Sequence, residues 1–106
     1  MQKGYQVTFF TQQERLHGRR PLAQWLIEEA RKLGVRGATL NGALVGFGHD
    51  GQIHWMNILD FSEQPVQVTL ILSQEEERGL FAHLEQQQVE VFFVRSPVEF
   101  GNLGRI

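Results

Sequence analysis

Two hydrophobic periodicities take turns along this chain, and their order constrains the fold more than any other feature. In residues 5–11, Tyr5, Val7 and Phe9 alternate with Gln6, Thr8 and Phe10, the two-residue repeat of a strand. The polar stretch Gln12 to Arg20 breaks that repeat. Pro21 suits a first helical turn, where its missing N–H is harmless. Leu22, Trp25, Leu26, Ala30 and Leu33 then follow at helical spacing up to Gly34, so the pattern predicts a helix over 21–33.

Residues 37–48 place small and apolar side chains (Ala38, Leu40, Leu44, Val45, Phe47) around Gly42, which suits a strand with a bulge. Asp50-Gly51 is a hairpin signal, and 53–61 reads as the returning strand. Beyond the turn at Ser62 to Pro65, Val66, Val68, Leu70 and Leu72 alternate with Gln67, Thr69 and Ile71. Ser73-Gln74-Glu75-Glu76 has the layout of a capping box, and acidic residues 75–77 suit the positive end of a helix dipole. Leu80, Phe81 and Leu84 form the inner stripe of that second helix, whereas His83 falls off the stripe and reads as a surface residue. Val89 to Arg95 reads as the last core strand, closed by Pro97, with 96–106 as a tail.

With the 48–61 hairpin set aside, the order is strand, helix, strand, strand, helix, strand. That order predicts an α+β, ferredoxin-like βαββαβ antiparallel sheet with both helices on one face and a hairpin insertion between the second and third core strands. A length of 106 residues with 42% hydrophobic and 10% aromatic side chains fits one domain with its core in 5–95, and excludes a disordered chain. The second face of the sheet would carry Phe10, Ile71, Phe92 and Val94 beside Thr8 and Thr69. A face this apolar implies a cover, and another subunit is the expected one, ahead of residues 53–61 or the tail folding over it.

Zero cysteines exclude a disulfide scaffold, a thiolate metal site and a cysteine nucleophile. A net charge of −2 argues against nucleic acid and anionic membrane surfaces as partners. The start of the sequence lacks a signal-peptide layout and no apolar stretch is long enough for a membrane span, so a cytoplasmic protein without membrane insertion is expected. No G-x-S-x-G turn, P-loop or dinucleotide fingerprint occurs, and Ser62, Ser73 and Ser96 are accounted for by turns and a cap. The expectation is a protein that is not an enzyme.

Two clusters are candidate binding sites. Arg15, His17, Gly18, Arg19 and Arg20 stand immediately before the first helix, where guanidinium groups and backbone N–H groups together suit a phosphate or carboxylate. Gly18 would allow close backbone approach. The competing reading is a solvated loop whose arginines pair with Glu28 and Glu29. The second cluster is Gly46, Phe47, Gly48 and His49, with His54 and Trp55 nearby. Its glycines allow unusual backbone angles, Phe47 and Trp55 could stack on a base, and His49 could donate to an anion. Against this stands a glycine-rich hairpin whose aromatics fill a subunit interface. His49, Asp50 and His54 match no strong zinc signature, so the primary expectation is no metal, with His49 and His54, joined by His17 if the fold brings it close, as the alternative ligands.

Several of these segments together resemble one bacterial and archaeal family. They are His17-Gly18 with the following basic residues and Pro21-Leu22, then Gly37-Ala38-Thr39-Leu40, Gly42, Gly46-Phe47-Gly48, Ile53-His54, Pro65-Val66 and Pro97-Val98-Glu99. The family is domain of unknown function 190, a PII-like group, and the resemblance spans about residues 5–100. It implies a ferredoxin-like homotrimer with sheets facing inward, binding adenine nucleotides in clefts between subunits and signalling through the loop between the second and third strands, here 46–65. The basic and glycine motifs with which PII proteins hold phosphates are not found, and the single tyrosine, Tyr5, lies in the first strand instead of that loop. The resulting expectation is a non-enzymatic regulator that binds a small anionic metabolite such as an adenine nucleotide and engages a partner protein through 46–65. The alternatives are a CutA-like divalent-metal-binding trimer and a ligand-free docking adaptor.

Overall fold

A computed structural model describes residues 1–35, 37–42, 45–47, 53–55 and 65–104, with the side chains of 45–47 and 53–55 left aside. In chain order its elements are β1 (Gln2–Gln12), β2 (Leu16–His17), β3 (Arg20–Pro21), α1 (Leu22–Lys32), β4 (Ala38–Gly42), β5 (Val45–Phe47), β6 (Ile53–Trp55), β7 (Pro65–Ser73), α2 (Gln74–Gln86) and β8 (Phe92–Phe100). The four long strands form one sheet in the order β4-β7-β1-β8, with every neighbour antiparallel. This is the ferredoxin-like arrangement, and the β5–β6 hairpin sits between the second and third core strands as expected.

Alternation decides which side chains meet the helices. Val7 and Phe9 of β1 and Val68, Leu70 and Leu72 of β7 are at most 1% exposed, packed with Leu22 and Leu26 of α1 and Leu80 and Leu84 of α2. Register places Val7 beside Leu70 and Phe9 beside Val68, so the apolar rows of the two central strands coincide. Burying side chains of this size stabilises each by about 1.5–3 kcal/mol. The opposite rows meet as well: Phe10 pairs with Phe92 and Thr8 with Val94, and Thr8 Oγ1 lies 3.1 Å from Thr69 Oγ1. On that face Phe92, Val94 and Ile71 remain 60%, 50% and 40% exposed.

Both helices end in the same way. In α1 the N–H groups of Gly34 and Val35 return to the carbonyls of Arg31 and Ala30, with Gly34 at φ +90°. In α2 those of Gln88 and Val89 return to Glu85 and Leu84, with Gln88 at φ 57°. These are Schellman closures, which need a left-handed residue and bring the next apolar residue back against the helix. Val89 is therefore part of the cap. The last strand begins at Phe92 instead of Val89, and residues 89–91 do not pair.

Pro97 does not close that strand. β8 continues to Phe100, pairing Val98 with Gly4 and Phe100 with Gln2, so the tail begins at Gly101 instead of residue 96. Among the described residues β8 lies at the sheet edge, where a proline is tolerated because one side of the strand makes no ladder bonds to them. Gly4 is required where it stands, since a Cβ there would overlap the Leu72 carbonyl oxygen and approach the Phe100 ring to 2.9 Å. The strand expected over 37–48 is found as β4 and β5, and the one over 53–61 as β6, with residues 43, 44, 48 and 56–61 outside the described set.

Candidate functional site

The arginine-rich stretch before α1 is a small hairpin. β2 and β3 pair Leu16 with Pro21 and His17 with Arg20, leaving Gly18 and Arg19 as a two-residue loop. Gly18 stands at φ +64°, which suits the first loop position of a II′ turn, so its conformational freedom serves the turn. The Leu22 N–H donates to the Arg15 carbonyl at 2.8 Å, joining the hairpin base to the first turn of α1. Pro21 precedes the helix in extended conformation, with φ −55° and ψ 132°, instead of opening its first turn.

Of the hairpin's cations, only one faces solvent without an acceptor among the described residues. Arg15 donates from Nη2 to the Glu90 carbonyl, tying the hairpin to the segment after α2. Arg20 pairs through Nη2 with Glu28 Oε2, while Gln24 Nε2 donates to the other Glu28 oxygen at 3.2 Å. The His17 ring packs on Trp25 with centroids 4.1 Å apart. Arg19 is exposed at the loop. The pairing with Glu28 is the one the sequence suggests; the carbonyl holding Arg15 cannot be read from it, because no sequence signal marks a backbone acceptor 75 positions away.

Behind the hairpin, one network joins the helices. Trp25 is buried and stacks on His83 at 5.9 Å with ring planes 19° apart. His83 Nε2 lies 2.8 Å from Glu29 Oε1, and Lys32 Nζ lies 2.9 Å from Glu29 Oε2. Lys32 and His83 together hold the Glu29 carboxyl below the usual carboxylate range, against the opposing effect of burial. His83 is thus half-buried between the helices instead of a surface residue.

On the far side of α2, Arg95 of β8 forks onto Glu77 at 2.7 and 2.8 Å and lies 3.9 Å above the Tyr5 ring centroid. Its guanidinium is raised above its ordinary pKa, first by Glu77 and, against the opposing effect of burial, by Tyr5. This clamp is structural in position, tying the edge strand to α2.

In the second cluster, β5 and β6 place Gly46 opposite His54 and Phe47 opposite Ile53. Gly48 and His49 lie outside the described residues. Among the described residues no group of three or more His, Asp or Glu side chains converges on a metal position. No described helix is long and apolar enough to cross a membrane. A shallow recess of about 480 Å³ opens where Lys3 and Tyr5 of β1 face Glu99 and Pro97 of β8. It lies at the start of β1, roughly 30 Å along that strand from the hairpin, and contains none of the residues expected from sequence.

The comparisons with known proteins agree with this architecture. The structure is similar to a PII-like signaling protein from Thermus thermophilus, at 22% identity over 92% of this chain and 91% of that one, with a TM-score of 0.64. It is also similar to CPII, a nitrogen regulatory PII-like protein from Thiomonas intermedia bound to ADP, AMP and bicarbonate. That match has 16% identity over 94% of this chain and 90% of that one, with a TM-score of 0.67. The same protein bound to ADP, AMP and acetate matches at 16% identity over 95% and 91%, with a TM-score of 0.58. Among curated proteins none matches the sequence. The model of the family DUF190, described as an uncharacterized ACR, matches residues 4–100.

Proposed function

The chain belongs to the DUF190 family and has a PII-like fold, and on that premise we propose that it is a non-enzymatic regulator binding an adenine nucleotide. The observation that carries the reading is the β2–β3 hairpin, which brings three guanidinium groups to the start of α1 and leaves Arg19 without a carboxylate among the described residues. Phosphate oxygens are natural partners for such groups. The ADP and AMP bound by the Thiomonas protein on a similar fold make an adenine nucleotide the first ligand to try, with bicarbonate as a second anion.

In this reading Arg19 contacts the phosphates and Arg20 and His17 flank them. The working assembly is a homotrimer that covers Phe10, Ile71, Phe92 and Val94, and the 46–65 segment presents the regulated surface to a partner protein. Ligand binding would shift that segment between conformations, because a ligand moves an equilibrium only by preferring one of its states.

Thermal unfolding against ADP, AMP, ATP, bicarbonate, acetate and divalent metals tests the proposal. A ligand at a hundred times its Kd adds about 2.7 kcal/mol, which raises Tm on the order of 10 °C for a domain of this size. The expected result is a rise with an adenine nucleotide that Arg19→Ala abolishes. A rise confined to divalent metals would transfer the reading to a metal-binding trimer, and no rise with any ligand would leave a docking adaptor.

A further inference from the structure

We infer that Glu28 is a built-in competitor at the anion site: its carboxylate holds the Arg20 guanidinium until an incoming anion displaces it. The inference rests on the anion-binding reading of the β2–β3 hairpin and adds a regulatory element to it.

The two oxygens of Glu28 have separate tasks. Oε1 accepts from Gln24 one helical turn earlier, while Oε2 faces Arg20. The Gln24 contact, one helical turn away at 3.2 Å, favours the orientation in which Oε2 faces Arg20. Glu28 Oε2 meets Arg20 at Nη2, a donor that a phosphate or bicarbonate oxygen would also take, so the two compete for that position. Arg20 and Glu28 side chains are 40% and 39% exposed, so a ligand can reach the pair from water.

The neighbouring acid cannot take this role. Glu29 points the other way, held by His83 and Lys32 at 2.8 and 2.9 Å. Arg15 also differs from Arg20, because its partner is a carbonyl oxygen that carries no net charge for an anion to replace. Among the described residues the hairpin therefore holds one free cation, Arg19, and one cation, Arg20, whose availability is set by a displaceable side chain.

Magnitude decides what such a device can do. Exposed ion pairs are worth about 0.2–1 kcal/mol, so Glu28 would shift ligand affinity by roughly 1.4- to 5-fold. A competitor of that strength tunes the concentration at which the site fills and does not close it.

Calorimetric titration of the full chain with ADP tests this on wild type, Glu28→Gln, Arg20→Ala and the double variant. Glu28→Gln is expected to bind ADP roughly 1.4- to 5-fold tighter. Arg20→Ala is expected to bind more weakly, and Glu28→Gln is expected to add nothing on that background, the non-additivity that marks direct contact. If Glu28→Gln leaves wild-type affinity unchanged while Arg20→Ala weakens it, the competitor role is overturned and the anion reading stands. The competitor role is overturned equally if Glu28→Gln tightens binding to the same extent with and without Arg20, because the carboxylate then acts through its field alone. Wild-type ADP binding that is absent, or indifferent to both Arg19→Ala and Arg20→Ala, overturns the hairpin reading and this inference with it.

Discussion

The two faces of the central sheet come from the same strands, alternate residue by alternate residue, and they meet opposite conditions. On one face Val7, Val68 and Leu70 are fully buried and Phe9 is 1% exposed under two helices; on the other, Phe92, Val94 and Ile71 stand 40–60% exposed around a Thr8–Thr69 hydroxyl pair. Leu70 and Ile71 are adjacent in sequence and isomeric, so the difference between them is one of environment. The covered face accounts for the stability of a single chain. The open face keeps an apolar composition that leaves Phe92, Val94 and Ile71 exposed among the described residues, which is why a covering subunit belongs to the proposed assembly.

The sharpest way to break this comparison is to truncate the two neighbours in turn. Leu70→Ala should cost about 2–5 kcal/mol in urea unfolding, as buried leucines do. Ile71→Ala should cost less than about 1 kcal/mol at dilute concentration, because its side chain is still partly in water. If copies associate through this face, the loss at Ile71 grows with protein concentration while that at Leu70 does not. Equal costs at every concentration would show that the two faces are equivalent and that a cover is already in place.

Next come the helix ends that hold the cover over the buried face. At Gly34 a Cβ would meet no atom within 4 Å, so Gly34→Ala isolates the backbone penalty of φ +90° and should cost about 1–2 kcal/mol. Gln88→Gly should stabilise by about 0.5–1 kcal/mol, since glycine adopts φ 57° without that penalty but loses entropy on folding. A gain at 88 and a loss at 34, read by thermal melting, would confirm that both closures are alike and only one carries its preferred residue.

The smallest expected effect is the acid response of the inter-helix clamp. Glu29 is held below the ordinary carboxylate value by Lys32 and His83, so its stabilising contribution is present above the unfolded value near 4.3 and disappears as pH falls through the folded one. The stability gap between wild type and Glu29→Gln, at most about 1 kcal/mol for partly exposed pairs, should therefore narrow as pH is lowered from about 5 to about 3. A gap that stayed constant over that range would mean the clamp does not depend on the carboxylate charge.

The covered face is readable from sequence because burial and alternation are the same signal, and Ser73 and Glu76 make their reciprocal cap as the motif requires, at 3.1 and 2.8 Å. The start of β8 is misleading because Val89-Glu90-Val91 alternates like a strand, whereas its first residue closes a helix whose left-handed position holds glutamine instead of the usual glycine. The end of β8 misleads because Pro97 signals termination only in a central strand, and edge position is a property of topology. Within the candidate site, the residue types are legible and the partners are not. Two-residue arms such as β2 and β3 are too short to show a period, and the acceptors for Arg15 and Arg20 are chosen by packing.

Pro97 also bears on the fate of the outer strand while the chain folds. An unpaired outer strand is a template on which other copies can polymerise edge to edge. Here the apolar run Val91-Phe92-Phe93-Val94 is bounded by Glu90 and Arg95, and the imide at Pro97 follows two positions later. That uninterrupted apolar run is four residues long, and the flanking charges break the roughly six-residue segment from which cross-β fibrils grow. The sequence can thus expose a sticky edge during synthesis while limiting its capacity to seed aggregates.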